Sequence, residues 1–172
     1  VQALARPAAP DDDFALTSFL NPEMESHMKK LIAVSVLALV AAVPAVARNT
    51  PVNVTLQSVL DMPEAKAKLD GTVKFYLAGS PTPHVSEKLG EDTSNAKTNA
   101  FNKTPEEACR WNALSALIKL QDHAKRDGAN AVVDIVSYYD RETFSSPTDL
   151  QCRDGAFLAG IALKGTYAKT DK

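Results

Sequence analysis

The chain has 172 residues, with 19 Lys plus Arg against 21 Asp plus Glu, a formal charge of −2, and 45% hydrophobic residues. So even a balance leaves no electrostatic footprint for nucleic acid and no polybasic patch for an anionic membrane. No Gly-x-x-x-x-Gly-Lys-Ser/Thr phosphate cradle and no zinc-type cysteine cluster occurs anywhere in it.

In chain order, Val1 to His27 is rich in Ala, Pro and Asp without apolar periodicity, and reads as a non-native upstream extension. Residues 28–47 read as a signal peptide. Lys29 and Lys30 form the basic region, Leu31 to Val43 the apolar run, and Ala45-Val46-Ala47 the small-x-small cleavage site. The apolar run is shorter than the roughly 20 residues of a membrane span, so no stable span is expected after processing. No acceptor cysteine follows the site. The expectation is a periplasmic or secreted protein beginning at Arg48, with 48–172 as a single α+β domain.

Val52 to Ser58 alternates and predicts a strand facing inward through Val52, Val54 and Leu56. Pro63 to Leu69 predicts a short helix capped by Asp61, and Val73, Phe75 and Leu77 a second strand that Gly79 to Pro83 stops. Gly79 to Lys103 is dominated by Ser, Thr, Asn, Lys and Pro, and reads as a long surface loop or a short helix around Val85 to Leu89. Thr104-Pro105-Glu106-Glu107 then combines a capping box with proline at the first helical position, and apolar residues recur at helical spacing until Gly128. Val132 to Tyr139 predicts a strand, Asp140 to Gln151 a polar connection, and Ala156 to Tyr167 a long final strand bending at Gly160 or Gly165. One face of that strand (Ala156, Leu158, Gly160, Ala162, Thr166) is mostly small, which predicts that the long helix lies there.

These elements predict an α+β fold: a small antiparallel or mixed sheet of three to four strands, one long helix on one face, and one disulfide. Cys109 sits near the start of the helix and Cys152 at the mouth of the last strand, so in an oxidising compartment the pair is expected to staple helix to sheet.

The stretch from Cys109 to Gly165 includes Gly128-Ala129-Asn130-Ala131-Val132-Val133, Ser137-Tyr138-Tyr139, Cys152-Arg153-Asp154-Gly155 and Ala159-Gly160-Ile161-Ala162-Leu163-Lys164-Gly165. It resembles a group of small exported proteobacterial proteins of unknown function, some labelled excinuclease ATPase subunit. The helix followed by Gly-Ala-Asn-Ala-Val-Val also resembles YbjQ-like and RcsF-like α+β folds. The label implies ATP chemistry, which the missing phosphate cradle excludes. The RcsF-like resemblance implies envelope-stress sensing, although the lipidated cysteine and second disulfide of such proteins are absent.

No pattern marks a catalytic, cofactor-binding or metal-binding residue. His84 and His123 read as isolated surface histidines; a metal site would need Glu87 or Asp92 brought beside them. Asp134 marks the solvent side of its strand, and no serine stands in a nucleophile-elbow context. Tyr138, Tyr139, Asp140, Arg141 and Glu142 cluster at a strand end, where aromatic and charged side chains can form a recognition rim. The reading by elimination is a non-catalytic exported binding or structural module. Its partner would be an envelope protein or small ligand, and a homodimer through a sheet edge is open to it. The alternatives are an envelope stress sensor or regulator, or an enzyme of unrecognised type.

Overall fold

The computed structural model describes residues 48–171. The upstream extension and signal peptide read in residues 1–47 lie outside the described residues.

The strands are β1 (Thr50–Thr55), β2 (Lys74–Leu77), β3 (Val85–Asn99), β4 (Ala131–Ser137), β5 (Asp149–Asp154) and β6 (Leu158–Thr170). The helices are α1 (Leu56–Leu60), α2 (Pro63–Lys68) and α3 (Pro105–Arg126), with a 3-10 turn at Tyr139–Arg141. The strands form one mixed sheet in the order β1-β5-β6-β4-β2, with β3 also on β6. β6 therefore has β3 along one edge. On the other edge it carries β4 at Leu163 to Ala168 and β5 at Ala159 and Gly160. Among the described residues only β2 and β4 run parallel.

The fold is α+β, as expected, but the sheet has six strands rather than three or four. One missed strand, β3, occupies the stretch read as loop or short helix. Its inward positions are Asp92, Ser94 and Ala96, too small or polar to make an apolar alternation. Its remaining charged side chains are those of a sheet edge. The other, β5, begins in the last residues of the supposed connection, runs three residues past it and alternates Leu150, Cys152 and Asp154 inward, a short pattern hidden by its buried aspartate. Asp154 is held by the Arg48 guanidinium.

Two short helices accompany the long one: α2 falls where a short helix is predicted, whereas α1 is additional. β1 stops at Thr55 rather than Ser58, because the Thr55 hydroxyl accepts the Ser58 N–H at 3.1 Å and starts α1. Asp61 closes α1 instead of capping α2, which has Met62 at its N-cap with no side-chain bond.

Helix α3 starts where Thr104 Oγ1 accepts the Glu107 N–H at 3.1 Å, with Pro105 in the first turn. It stops in a Schellman turn: the Ala129 N–H donates to Ala124 O and the Gly128 N–H to Lys125 O, with Gly128 at φ +74°. It packs on the bulky face of the sheet, not the small one. Leu114, Leu117 and Leu120 share one core with Ile135, Leu150, Ile161, Leu163 and Tyr167. The small residues that permit close approach are on the helix itself (Ala108, Ala113, Ala116, Ala124), so the volumes are complementary with the aliphatics on the strands. The Ser94 hydroxyl adds a bond from β3 to Ala116 O at 3.1 Å.

The disulfide Cys109–Cys152 is formed, with both residues fully buried and Cα atoms 5.7 Å apart. It staples α3 to β5, which itself pairs with β1. β4 carries one extra residue against β6 between Val133 and Val136. Asp134, exposed and at φ +55°, forms that bulge. A Cβ on Gly165, opposite it, would fall 2.8 Å from Val132 Cγ1, so the bulge requires glycine there. Among the described residues no helix is long and apolar enough to cross a membrane.

Candidate functional site

Beyond β4 the chain makes a tight excursion. Ser137 and Phe144 bond to each other through both backbone pairs, at 3.0 and 2.8 Å, closing the loop at its base. The Ser137 hydroxyl accepts the Gln151 N–H at 2.8 Å, fixing that base to β5. Between these ends lie all five residues read as a recognition rim.

Their placements differ. The Tyr138 N–H donates to Ala162 O at 2.8 Å, and Lys164 Nζ sits 5.4 Å from the centre of the Tyr138 ring, a cation–π contact. Tyr139 lies over Gly160, where an added Cβ would be 3.0 Å from the ring. The small face of β6 is therefore covered here by an aromatic side chain, and Gly160 is the space it occupies. Asp140 and Arg141 are exposed and both adopt left-handed backbone, at φ +52° and +68°. Two consecutive non-glycine residues in that region are strained. Glu142 is exposed and pairs with Arg153 at 2.9 Å.

This turn forms one wall of a cleft of about 340 Å³ whose other wall is β3. Tyr139 and Asp140 face Asn95 and Lys97 across Ala162. The cleft thus presents an aromatic ring, an amide, an ammonium and a carboxylate over a floor of small side chains. That chemistry suits hydrogen bonding and stacking with a peptide or small polar molecule.

The histidines are not isolated. His84 Nδ1 lies 2.9 Å from Asp171 Oδ2 at the exposed start of β3. His123 Nδ1 lies 2.6 Å from Asp92 Oδ2, and the same oxygen accepts the Tyr167 hydroxyl at 3.0 Å. Asp92 Oδ1 accepts the Thr93 N–H at 2.7 Å. Burial raises the Asp92 carboxyl, but the Thr93, His123 and Tyr167 bonds outweigh it and hold it below the ordinary carboxylate range. Burial, then the bond to Asp92, pushes the Tyr167 phenol well above its usual value. An imidazole oriented by a carboxylate can act as a general base. Here no serine or threonine hydroxyl among the described residues bonds to His123, and the trio ties α3, β3 and β6 together. Asp92 pairs with His123 but Glu87 pairs with Lys169, and no group of three or more His, Cys, Asp or Glu among the described residues could hold a metal.

Sequence reasoning placed the rim at a strand end but left its opposite wall undefined, because Asn95 and Lys97 belong to the strand it missed. The Asp92–His123 pair carried no local signal, since its members stand 31 residues apart on separate elements. No protein-family model matches this chain, and no curated protein does.

Proposed function

We propose that the chain is a non-catalytic exported protein, periplasmic or secreted, that works by binding a partner in the cleft between the Tyr139–Arg141 turn and β3. The observation carrying this reading is the backbone of the turn. Left-handed Asp140 and Arg141 are held there by the Ser137–Phe144 closure and the Glu142–Arg153 pair, and such strain persists where surrounding structure over-determines it, commonly at functional positions. The partner class is a polar peptide segment of an envelope protein or a small polar ligand. The family resemblance to small exported proteins agrees with the location. The charged outer edge of β3 is the surface through which a homodimer would extend the sheet.

The test uses Asp140→Gly, because Asp140 lines the cleft. Glycine adopts φ +52° without strain, so this change removes the carboxylate while keeping or raising stability. A photo-crosslinking residue at Lys97 should capture one partner from an envelope fraction, and one at Asn53 should not. Asp140→Gly should weaken that capture with no fall in Tm. Capture at Lys97 that survives Asp140→Gly unchanged would place the contact elsewhere. A reproducible turnover lost on His123→Ala would overturn the non-catalytic reading.

A further inference from the structure

β2 ends its side of the sheet, and its two edges differ. On the inner edge the Lys74 N–H donates to Asn130 O at 2.9 Å and the Ala78 N–H to Ile135 O at 3.0 Å. Lys74 pairs with Ala131, Phe75 with Val132 and Leu77 with Ile135, in parallel. In that register the even-numbered backbone groups of the strand are committed to β4. Alternate residues of a strand turn their backbone groups to opposite edges, so the N–H and C=O of Phe75 and the N–H of Leu77 point outward. The Leu77 carbonyl is already taken by the Ser80 N–H and hydroxyl. No bond outside the strand ladder among the described residues uses the other three groups.

Side chains alternate as well, Lys74 and Tyr76 to one face and Val73 and Phe75 to the other. Yet a single groove of about 280 Å³ touches all four. A groove in contact with both faces of a strand must run along its edge. Its far wall is Leu60, Ala65 and Leu69, from α1, α2 and the residue after α2. An open strand edge facing short helices across an apolar floor is the geometry that accepts an extended peptide as an added strand. Lys66 and Lys74 are the charged side chains of the lining, and neither forms an ion pair among the described residues.

We propose that this groove binds an extended segment of a partner protein as an extra strand on β2. The segment is aliphatic where it meets Leu60 and Leu69 and acidic where it passes Lys66 and Lys74. A second copy of this chain is a poorer occupant, since a two-fold pairing of β2 edges sets these lysines against their own kind. The groove shares no lining residue with the Tyr139 cleft, so either surface can fail without the other.

The probe is an eight-residue capped peptide alternating Val and Glu, with a Val and Lys peptide as control, added to the full chain. Amide hydrogen exchange at Phe75 and Leu77 should slow by about tenfold once roughly nine-tenths of the chain is bound, because exchange then proceeds from the free tenth. The Val and Lys peptide should leave both rates unchanged. Lys66 and Lys74 are surface residues, so Lys66→Glu with Lys74→Glu should preserve the fold and reverse the preference between the two peptides. Unchanged exchange at both amides in saturating Val and Glu peptide would overturn the proposal. So would protection confined to β3 or to the Tyr139 turn. Dodecanoate that shifts the Phe75 side-chain resonances, where the peptide does not, would assign the groove to a lipid-like anion instead.

Discussion

The two faces of β6 are built on opposite principles. Toward α3 it presents Ile161, Leu163 and Tyr167, all buried in one core with the helix leucines. Toward the other side it presents Gly160, Ala162, Lys164 and Thr166, and no helix among the described residues covers them. Instead the Tyr139 ring lies on Gly160, Lys164 meets Tyr138, and a small cluster of Ala131, Val133 and Ala168 packs with Tyr76 and Val85. Large strand side chains take a helix whose contact face is alanine-rich, whereas small ones leave a shallow surface that single aromatic rings can fill. Stability is therefore concentrated on the first face. The second is free to hold a strained turn and a cleft.

The largest break in this comparison comes from the core side. Leu117→Ala, at a fully buried position, should cost about 2–5 kcal/mol in urea unfolding, whereas Thr166→Ala on the other face should stay within about 0.5 kcal/mol. Equal losses would show that both faces carry the fold. Next is the staple. Replacing Cys109 and Cys152 together by alanine should cost about 2–4 kcal/mol, and thiol titration of the unreduced, unfolded chain should find no free thiol.

Gly160→Ala sharpens the comparison from the other side. Its Cβ would sit 3.0 Å from the Tyr139 ring, so the change should cost about 1–3 kcal/mol and displace the turn. In a Tyr139→Ala background the same change should cost almost nothing. A penalty of equal size in both backgrounds would mean the ring is not what Gly160 accommodates.

The smallest effect is the pH response of the Asp92 trio. Asp92 is held below its unfolded value of about 3.9, so its contribution is present above that value and is lost as pH falls through the lower folded value. Tyr167 is raised, so its contribution is present below about pH 10 and is lost as pH climbs toward the folded value. His123→Ala removes one donor from Asp92 and should move the acid-unfolding midpoint to higher pH, followed by circular dichroism. An unmoved midpoint would show that the imidazole adds nothing to the carboxylate.

The sequence alone determined the elements whose signals are local. Thr104, Pro105 and Gly128 bound α3 because capping and φ preference act within one turn of helix. The cysteine pair was legible because α3 and the final strand were already placed, although Cys152 proves to lie on the missed β5 rather than at the mouth of β6. The charged and aromatic run Tyr138 to Glu142 was legible as a strand end. Only the tertiary structure decided what depends on pairing across distance. β3 becomes a strand because β6 supplies its ladder, not because its own side chains are apolar. The face on which α3 lies follows from matching alanines to aliphatics, a volume condition that neither element expresses by itself. His123 finds Asp92, and Tyr139 finds Asn95 and Lys97, only after β3 is zipped onto β6. A one-dimensional pattern records which residues prefer to be buried, whereas the register between strands decides which of them meet.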